Sequence, residues 1–436
     1  MKTTLRIGFL LVLLCMLCCC AAAESEAAEL IDYAAQLKLN MNTETLKQQV
    51  TVKTYVDGDT AHFYVPETVC ESGVLKGRFL AINTPESTGK IEEWGKRAAA
   101  FTREKLSAAT SIIIESDDGA WHLDSTGDRH LVWVWYKTED MTEYRNLNIE
   151  ILQNGLAIAN SSAQNRYGSI CMSAIAQAKE NKLCVYSGQK DPDFYYGDAV
   201  ELTLKELRCN IEQYNGIKVA FSGVITMNSN NGVYIEEYDE ETGLYYGIYA
   251  YYGFNLNGSG LSILLVGNEA RIVGTVQYYE AGGTWQVSGL SYRGIKPNDP
   301  NNIRKISDGH LPAYVPTNAD TLMNGKVAVL TEEGEAVYDY ANLALATSVE
   351  VTGLKVTGAY TTTDAESSSK GAITLTCDQD GVTVYVRTAP LKDESGALIT
   401  EDAYLGKTIN VKGIVDYYEG NYQIKVLLNN GITIDP

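Results

Sequence analysis

Basic residues are in deficit. The 436-residue chain carries 35 Lys+Arg against 55 Asp+Glu, a formal net charge of −20. The deficit is uneven. Residues 51–190 hold 15 basic and 18 acidic residues, a net of −3, whereas residues 191–436 hold 16 and 32, a net of −16. Such a field repels a polyanion, which excludes a broad basic groove and leaves any phosphate chemistry to local arginines or a cation. There is no Ser-His-Asp order, no zinc-ligand spacing and no Gly-rich loop ending in Gly-Lys-Ser/Thr. Cysteines are too dispersed for a disulfide scaffold: of 9, four lie in the first 20 residues. Cys70, Cys171, Cys184, Cys209 and Cys377 remain, an odd number at wide spacings. Proline is also sparse (9), against 38 glycines and 29 tyrosines. That balance favours strands and turns over long helices. Long apolar runs are missing except for Ile7 to Cys20.

That run follows Lys2 and Arg6 and precedes Ala21 and Ala23. It is short for a membrane span and reads as a Sec-type signal peptide, residues 1–23. The expectation is a secreted, cell-surface or periplasmic protein with no transmembrane segment after removal of the signal. Lipid anchoring through Cys18, Cys19 or Cys20 is disfavoured by the residues before each. A monomer is expected.

The rest divides by texture. Residues 24–47 form a helical or linker segment, in which "ELIDYAAQLKLN" has amphipathic spacing. Residues 48–190 alternate strands with helices. "TVKTYVDGDTAHFYV" reads as a hairpin turning at Asp57-Gly58, and "VLKGRFLAI", "SIIIES" and "RHLVWVWY" as further strands. Helices are expected over Glu92 to Leu106, over "NLNIEILQNGLA" with Asn148 as its cap, and over Ile175 to Leu183. Residues 197–295 offer about five strands, 296–325 a linker with four prolines, and 326–436 a second β module. The two modules repeat each other: Gly267 and Gly274 match Gly406 and Gly413, and a Tyr-Tyr-Glu follows each second glycine at the same distance. The fold class is therefore mainly β. The expected arrangement resembles an OB-fold-type five-stranded barrel with packed helices, followed by two further small OB-like β-barrels.

One constellation carries chemistry. Asp57 and Asp59 sit two apart on the first hairpin, Arg78 on a later strand, Asn83 and Glu86 on the loop after it, and Arg129 at the start of "RHLVWVWY". A guanidinium is a planar fork suited to phosphate oxygens. A carboxylate can take the proton of an attacking water. Carboxylate, amide and carbonyl oxygens suit a hard cation. Each piece alone is as well explained as a turn, a surface ion pair or a helix cap.

The ordered set resembles the thermonuclease, or staphylococcal-nuclease-like, family. Its motifs correspond here to Asp57-Gly58-Asp59-Thr60, Arg78 to Glu86, Trp94-Gly95 with Ala98, Asp128 to Val134, and Leu147 to Ala157. The likeness covers about residues 48–188. It implies hydrolysis of phosphodiester bonds in DNA or RNA, usually endonucleolytic, leaving a 3′-phosphate with calcium as cofactor. It also implies Glu86 as general base, with Arg78 and Arg129 stabilising the phosphate. Asp59, Asn83 and the Thr84 backbone carbonyl would hold calcium, with Asp57 behind them. Two departures stand out. Asn83 replaces a metal-binding aspartate and so weakens the expected calcium site. Asp128 replaces a glycine beside Arg129, where it is placed to pair with that guanidinium. His62 and His130 receive no role.

The alternative reading is a catalytically weakened binding or adhesion protein whose OB-like modules hold nucleic acid, glycan or protein. Tyr245, Tyr246, Tyr249, Tyr251 and Tyr252 could form a base-stacking platform. The same spacing suits a strand packed on both faces, and the acidity of this half favours that.

Overall fold

The computed structural model describes residues 30–435 apart from 255, 281, 332–333, 364–366, 368 and 419. The expected signal peptide lies outside the described residues. Three closed five-stranded barrels follow one another. In the first, β1 (Lys47–Tyr55), β2 (Thr60–Tyr64) and β3 (Val74–Phe79) form an antiparallel meander. β4 (Ser111–Glu115) pairs with β1, and β5 (His130–Lys137) pairs with β4. A parallel pairing of β3 with β5 closes the ring. Closure removes the exposed edges that an open sheet would present.

Three helices lie outside this barrel: α1 (Gly95–Ser107), α2 (Leu147–Gln153) and α3 (Gly168–Glu180). They explain why β5 is apolar without alternation. Val132 through Tyr136 are all buried, because helices cover the face that would otherwise meet water. The Trp133 and Trp135 indoles donate to Asp117 Oδ1 (2.9 Å) and Glu115 Oε2 (2.8 Å), so the buried rings leave no orphan N–H.

Three local expectations differ. The segment "ELIDYAAQLKLN" forms only one helical turn, Tyr33–Gln36, stopped by Leu37 in extended conformation. The cap of α2 is Asn146, whose Oδ1 accepts from the Ile149 N–H at 3.1 Å. Asn148 lies inside the helix. Its side chain accepts from Val134 N (2.9 Å) and donates to Leu80 O (2.9 Å), stitching β5 to the chain that leaves β3. The last helix begins at Gly168, seven residues before the apolar spacing announces it.

The second barrel repeats the connectivity with β6 (Lys218–Ser229), β7 (Gly232–Asp239), β8 (Leu244–Tyr251), β9 (Glu269–Tyr279) and β10 (Thr284–Ser288). β8 and β10 are its parallel pair, and β9 closes on β6. The third uses β15 (Ser348–Thr361), β16 (Ile373–Gln379), β17 (Val382–Thr388), β18 (Thr408–Tyr418) and β19 (Asn421–Val426). Here β17 and β19 are parallel and β18 closes on β15. The glycine repeat has a physical cause. Gly267 and Gly406 both take positive φ (86° and 76°) just before the closing strand. A Cβ at Gly274 or Gly413 would meet a carbonyl oxygen of the next strand, at 2.6 and 2.7 Å.

Residues 296–325 are more than a connector. β11 (Arg304–Ser307) adds to the edge of β9, and β12 (Val315–Thr317) pairs in parallel with β15. β13 (Lys326–Thr331) and β14 (Gly334–Asp339) form a hairpin whose Val329 belongs to the core of the second barrel. Among the described residues, Cys70, Cys171, Cys184, Cys209 and Cys377 are free thiols.

Candidate active site

The β3–β5 pairing decides the geometry. Arg78 stands opposite Leu131 in the parallel register, so Arg129, two residues before Leu131, falls on the same face as Arg78. His130 points to the other face. The two expected arginines therefore project from the same face of neighbouring strands of the first barrel.

Arg78 is 9% exposed and firmly held. Its Nη1 forms an ion pair with Asp59 Oδ1, and its Nη2 donates to Asn83 Oδ1 at 2.7 Å. Asp59 is itself buried. It accepts from the Thr60 hydroxyl at 3.0 Å and from the Thr84 N–H at 2.8 Å. Asp57 closes the turn by accepting from the Asp59 N–H at 3.0 Å. Burial, and then the Asp59 charge, push the Asp57 carboxyl up to about 7. The glycine between them has a steric reason: a Cβ at Gly58 would lie 2.8 Å from both Ala98 Cβ and Thr84 Cγ2. The hairpin tip thus lies against α1, where Thr102 donates to Gly58 O at 2.6 Å.

Arg129 does not pair with Asp128. Its Nε and Nη2 reach Asp124 Oδ2 at 2.8 and 2.6 Å. Asp128 is drawn away by Lys76, whose Nζ lies 2.8 Å from Oδ1. The Asp124 carboxyl sits at about 2: burial opposes its charge, but donation from Thr126 and Arg129 outweighs that. Asp124 lies outside the motifs that single out the other site residues. The signal was the run Asp124-Ser-Thr-Gly127, a turn in which Asp124 accepts from Thr126 N (3.1 Å) and Gly127 takes φ of 75°.

Glu86 is exposed, on the loop between β3 and α1. Its carboxyl is raised above the usual range. Burial of part of the group contributes most, then the charges of Asp59 and Glu92, with Arg78 and Arg129 pulling the other way. Glu86 thus lies near enough to feel all four of these charges. The loop is gripped from outside the barrel: Gln277 on β9 donates to Ser87 O at 2.9 Å, and Ser288 on β10 donates to Gly89 O at 2.8 Å. Sequence gave no hint of either contact, because they join residues about 190–199 positions apart.

Among the described residues no group of three His, Cys, Asp or Glu side chains is arranged to hold a metal ion. The oxygens expected to bind calcium are of the right chemical type. Those of Asp59 and Asn83 are bridged by the Arg78 guanidinium, so an ion there would share them with Arg78.

A closed five-stranded barrel of this topology, with helices packed outside, defines the class: an OB-type barrel. More particularly, residues 76–187 match the family described as staphylococcal nuclease homologue. The chain carries an SNase-like domain, followed by two further closed five-strand barrels of OB-fold-like architecture. The matched segment includes Arg78, Asn83, Thr84, Glu86 and Arg129; Asp57 and Asp59 precede it.

Proposed function

We propose that the protein hydrolyses phosphodiester bonds of DNA or RNA at the site formed by Arg78, Glu86 and Arg129. The observation that carries this reading is the shared face of the two arginines beside an exposed glutamate. Glu86 accepts a proton from the attacking water, and its raised carboxyl is a better base than an ordinary surface glutamate. Arg78, clamped by Asp59 and Asn83, presents a preorganised positive charge to the phosphate. Arg129, clamped by Asp124, approaches from the neighbouring strand. Preorganisation matters because charge grows on the phosphoryl oxygens in the transition state, and fixed donors need no rearrangement to meet it. A calcium ion, held by Asp59, Asn83 and the Thr84 carbonyl with Asp57 behind, would add charge neutralisation on the same oxygens. Asn83 leaves that site one charge poorer, which suits an extracellular setting where calcium is plentiful. Secretion accords with the leading apolar run, and among the described residues no helix is long and apolar enough to cross a membrane.

The test is digestion of single-stranded DNA and of RNA across calcium, magnesium and EDTA. Glu86→Gln should lower the rate by about 10²–10⁴-fold. Undiminished digestion by Glu86→Gln would discard the assignment.

A further inference from the structure

The SNase-like domain does not face open solvent on all sides. A cleft of about 1480 Å³ runs between it and the two later barrels, and Glu86 lies in its wall. That volume exceeds the roughly 300–1,000 Å³ of ordinary small-molecule pockets and suits a section of polymer. Eleven of the lining residues are aromatic, although aromatics make up 9% of the chain. Phe254, Tyr278 and Tyr279 keep 90%, 46% and 47% of their surface in solvent. Exposed rings gathered along one cleft are unlike scattered surface apolars and mark a binding surface.

The β8 tyrosines divide as strand alternation requires. Tyr246 is fully buried in the core, while Tyr249 and Tyr251 turn to the cleft. The tyrosine run therefore serves both purposes, core on one face and cleft on the other.

Charge and an unpaired group narrow the occupant. Among the described residues the cleft wall holds five Lys or Arg and four Asp or Glu, so it does not share the acid excess of the later barrels. Arg208, on α4 (Leu204–Cys209), also lines it and is only 5% exposed. Its Nη2 donates to Asn342 O at 2.6 Å, but its Nε and Nη1 are buried without a hydrogen-bond partner. Burying a guanidinium without an anion is costly, so the position invites an oxyanion. Neutral glycans stack on aromatics too, and their hydroxyls could accept from Arg208, but they would leave its charge without a counter-ion.

We infer that this cleft is a track for single-stranded nucleic acid continuous with the Glu86 site, in which bases stack on Tyr278, Tyr279 and Phe254 and a backbone phosphate reaches Arg208. The inference rests on the hydrolytic reading for its direction, since the strand entering the cleft is the one cut at Glu86. Stacking is tolerant of base identity, so the track would extend the bound length without selecting sequence.

Binding separates the two claims. The full chain carrying Glu86→Gln is titrated in EDTA against a fluorescein-labelled oligothymidylate of about a dozen nucleotides, read by anisotropy. Binding is expected. Tyr278→Ala and Tyr279→Ala should each weaken it by about tenfold, and the corresponding phenylalanine variants should restore it. Arg208→Met should lower affinity and flatten the dependence of log K on log salt by about 0.7. A thermal melt accompanies each variant, and the exposed tyrosines carry the test should Arg208→Met misfold. No binding, or binding indifferent to both tyrosines, overturns the track even where digestion succeeds. Displacement of the oligonucleotide by a neutral oligosaccharide at lower concentration would overturn it in favour of a glycan. If digestion fails while the tyrosine effects hold, the hydrolytic reading falls and the cleft stands as a binding site.

Discussion

At the residue scale, the acids around the arginines have separable jobs. Asp124 fixes Arg129, whereas Asp128 is occupied by Lys76. Asp124→Ala should therefore lower the digestion rate by roughly tenfold, as expected when a charge-assisted clamp is removed. Asp128→Ala should leave it within about twofold, since an exposed ion pair contributes little. Steady-state kinetics on both variants checks the contrast. Asp57 offers a pH test. Its folded carboxyl is raised from 3.8 to about 7, so between those values the folded chain holds a proton that the unfolded chain has lost. Stability from this group accordingly falls as pH rises through that window. Asp57→Asn keeps an acceptor for the Asp59 N–H but removes the charge. It should be stabilising at pH above 7, by on the order of 1 kcal/mol, and close to neutral below pH 4. Thermal melts across pH with calcium chelated would detect this, and an effect of equal size at both ends would exclude Asp57 as its source.

At the scale of elements, the loop from Asn83 to Trp94 is the sensitive part. α1 starts without a side-chain cap. Trp94 takes a left-handed φ of 68°, and its N–H donates to the buried Asp191 at 2.6 Å. Beside it, a Cβ at Gly95 would come within 2.1 Å of Glu86 O. Gly95→Ala must displace the Glu86 backbone, so it should lower kcat by at least tenfold while the far-UV circular dichroism stays unchanged. A rate equal to wild type would mean that the loop tolerates the shift. Sequence legibility follows the same division. The strands and α1 were readable because alternation and helical spacing are local properties of the chain. The arginines and Glu86 were readable through the ordered motifs around them. The cap of α2 was not, because Asn146 and Asn148 are chemically alike and only the fold assigns one to the helix end and the other to β5. Asp124 was overlooked beside Asp128, since adjacency in sequence is a poor guide where a turn folds the chain back on itself. The hold of Gln277 and Ser288 on the loop depends on barrel docking, which no local pattern encodes.

At the scale of the whole molecule, the barrels are joined by buried polar contacts. Glu236 on β7 accepts from Ser348 N and from Ala313 N, each at 2.8 Å, and so ties the second barrel to the third. Burial raises its carboxyl, and these donors counter that. Glu236→Ala leaves both N–H groups without their acceptor and should destabilise the chain by about 1–3 kcal/mol. Limited proteolysis should then cut first near residues 308–314, between β11 and β12. Unaltered cleavage kinetics would show that apolar contact alone holds the two together.

The β9–β10 hairpin gives this architecture a practical consequence. Beyond its contacts to Ser87 and Gly89, the residue ending β9 is followed by Glu280, which pairs with Arg103 on α1, and Gly283 at the tip abuts Tyr417 of the third barrel. A fragment trimmed to the SNase-like part would lose the outer wall that steadies its own glutamate. Its turnover would understate that of the parent chain, and dissecting the protein into parts would misattribute to chemistry a defect that belongs to assembly.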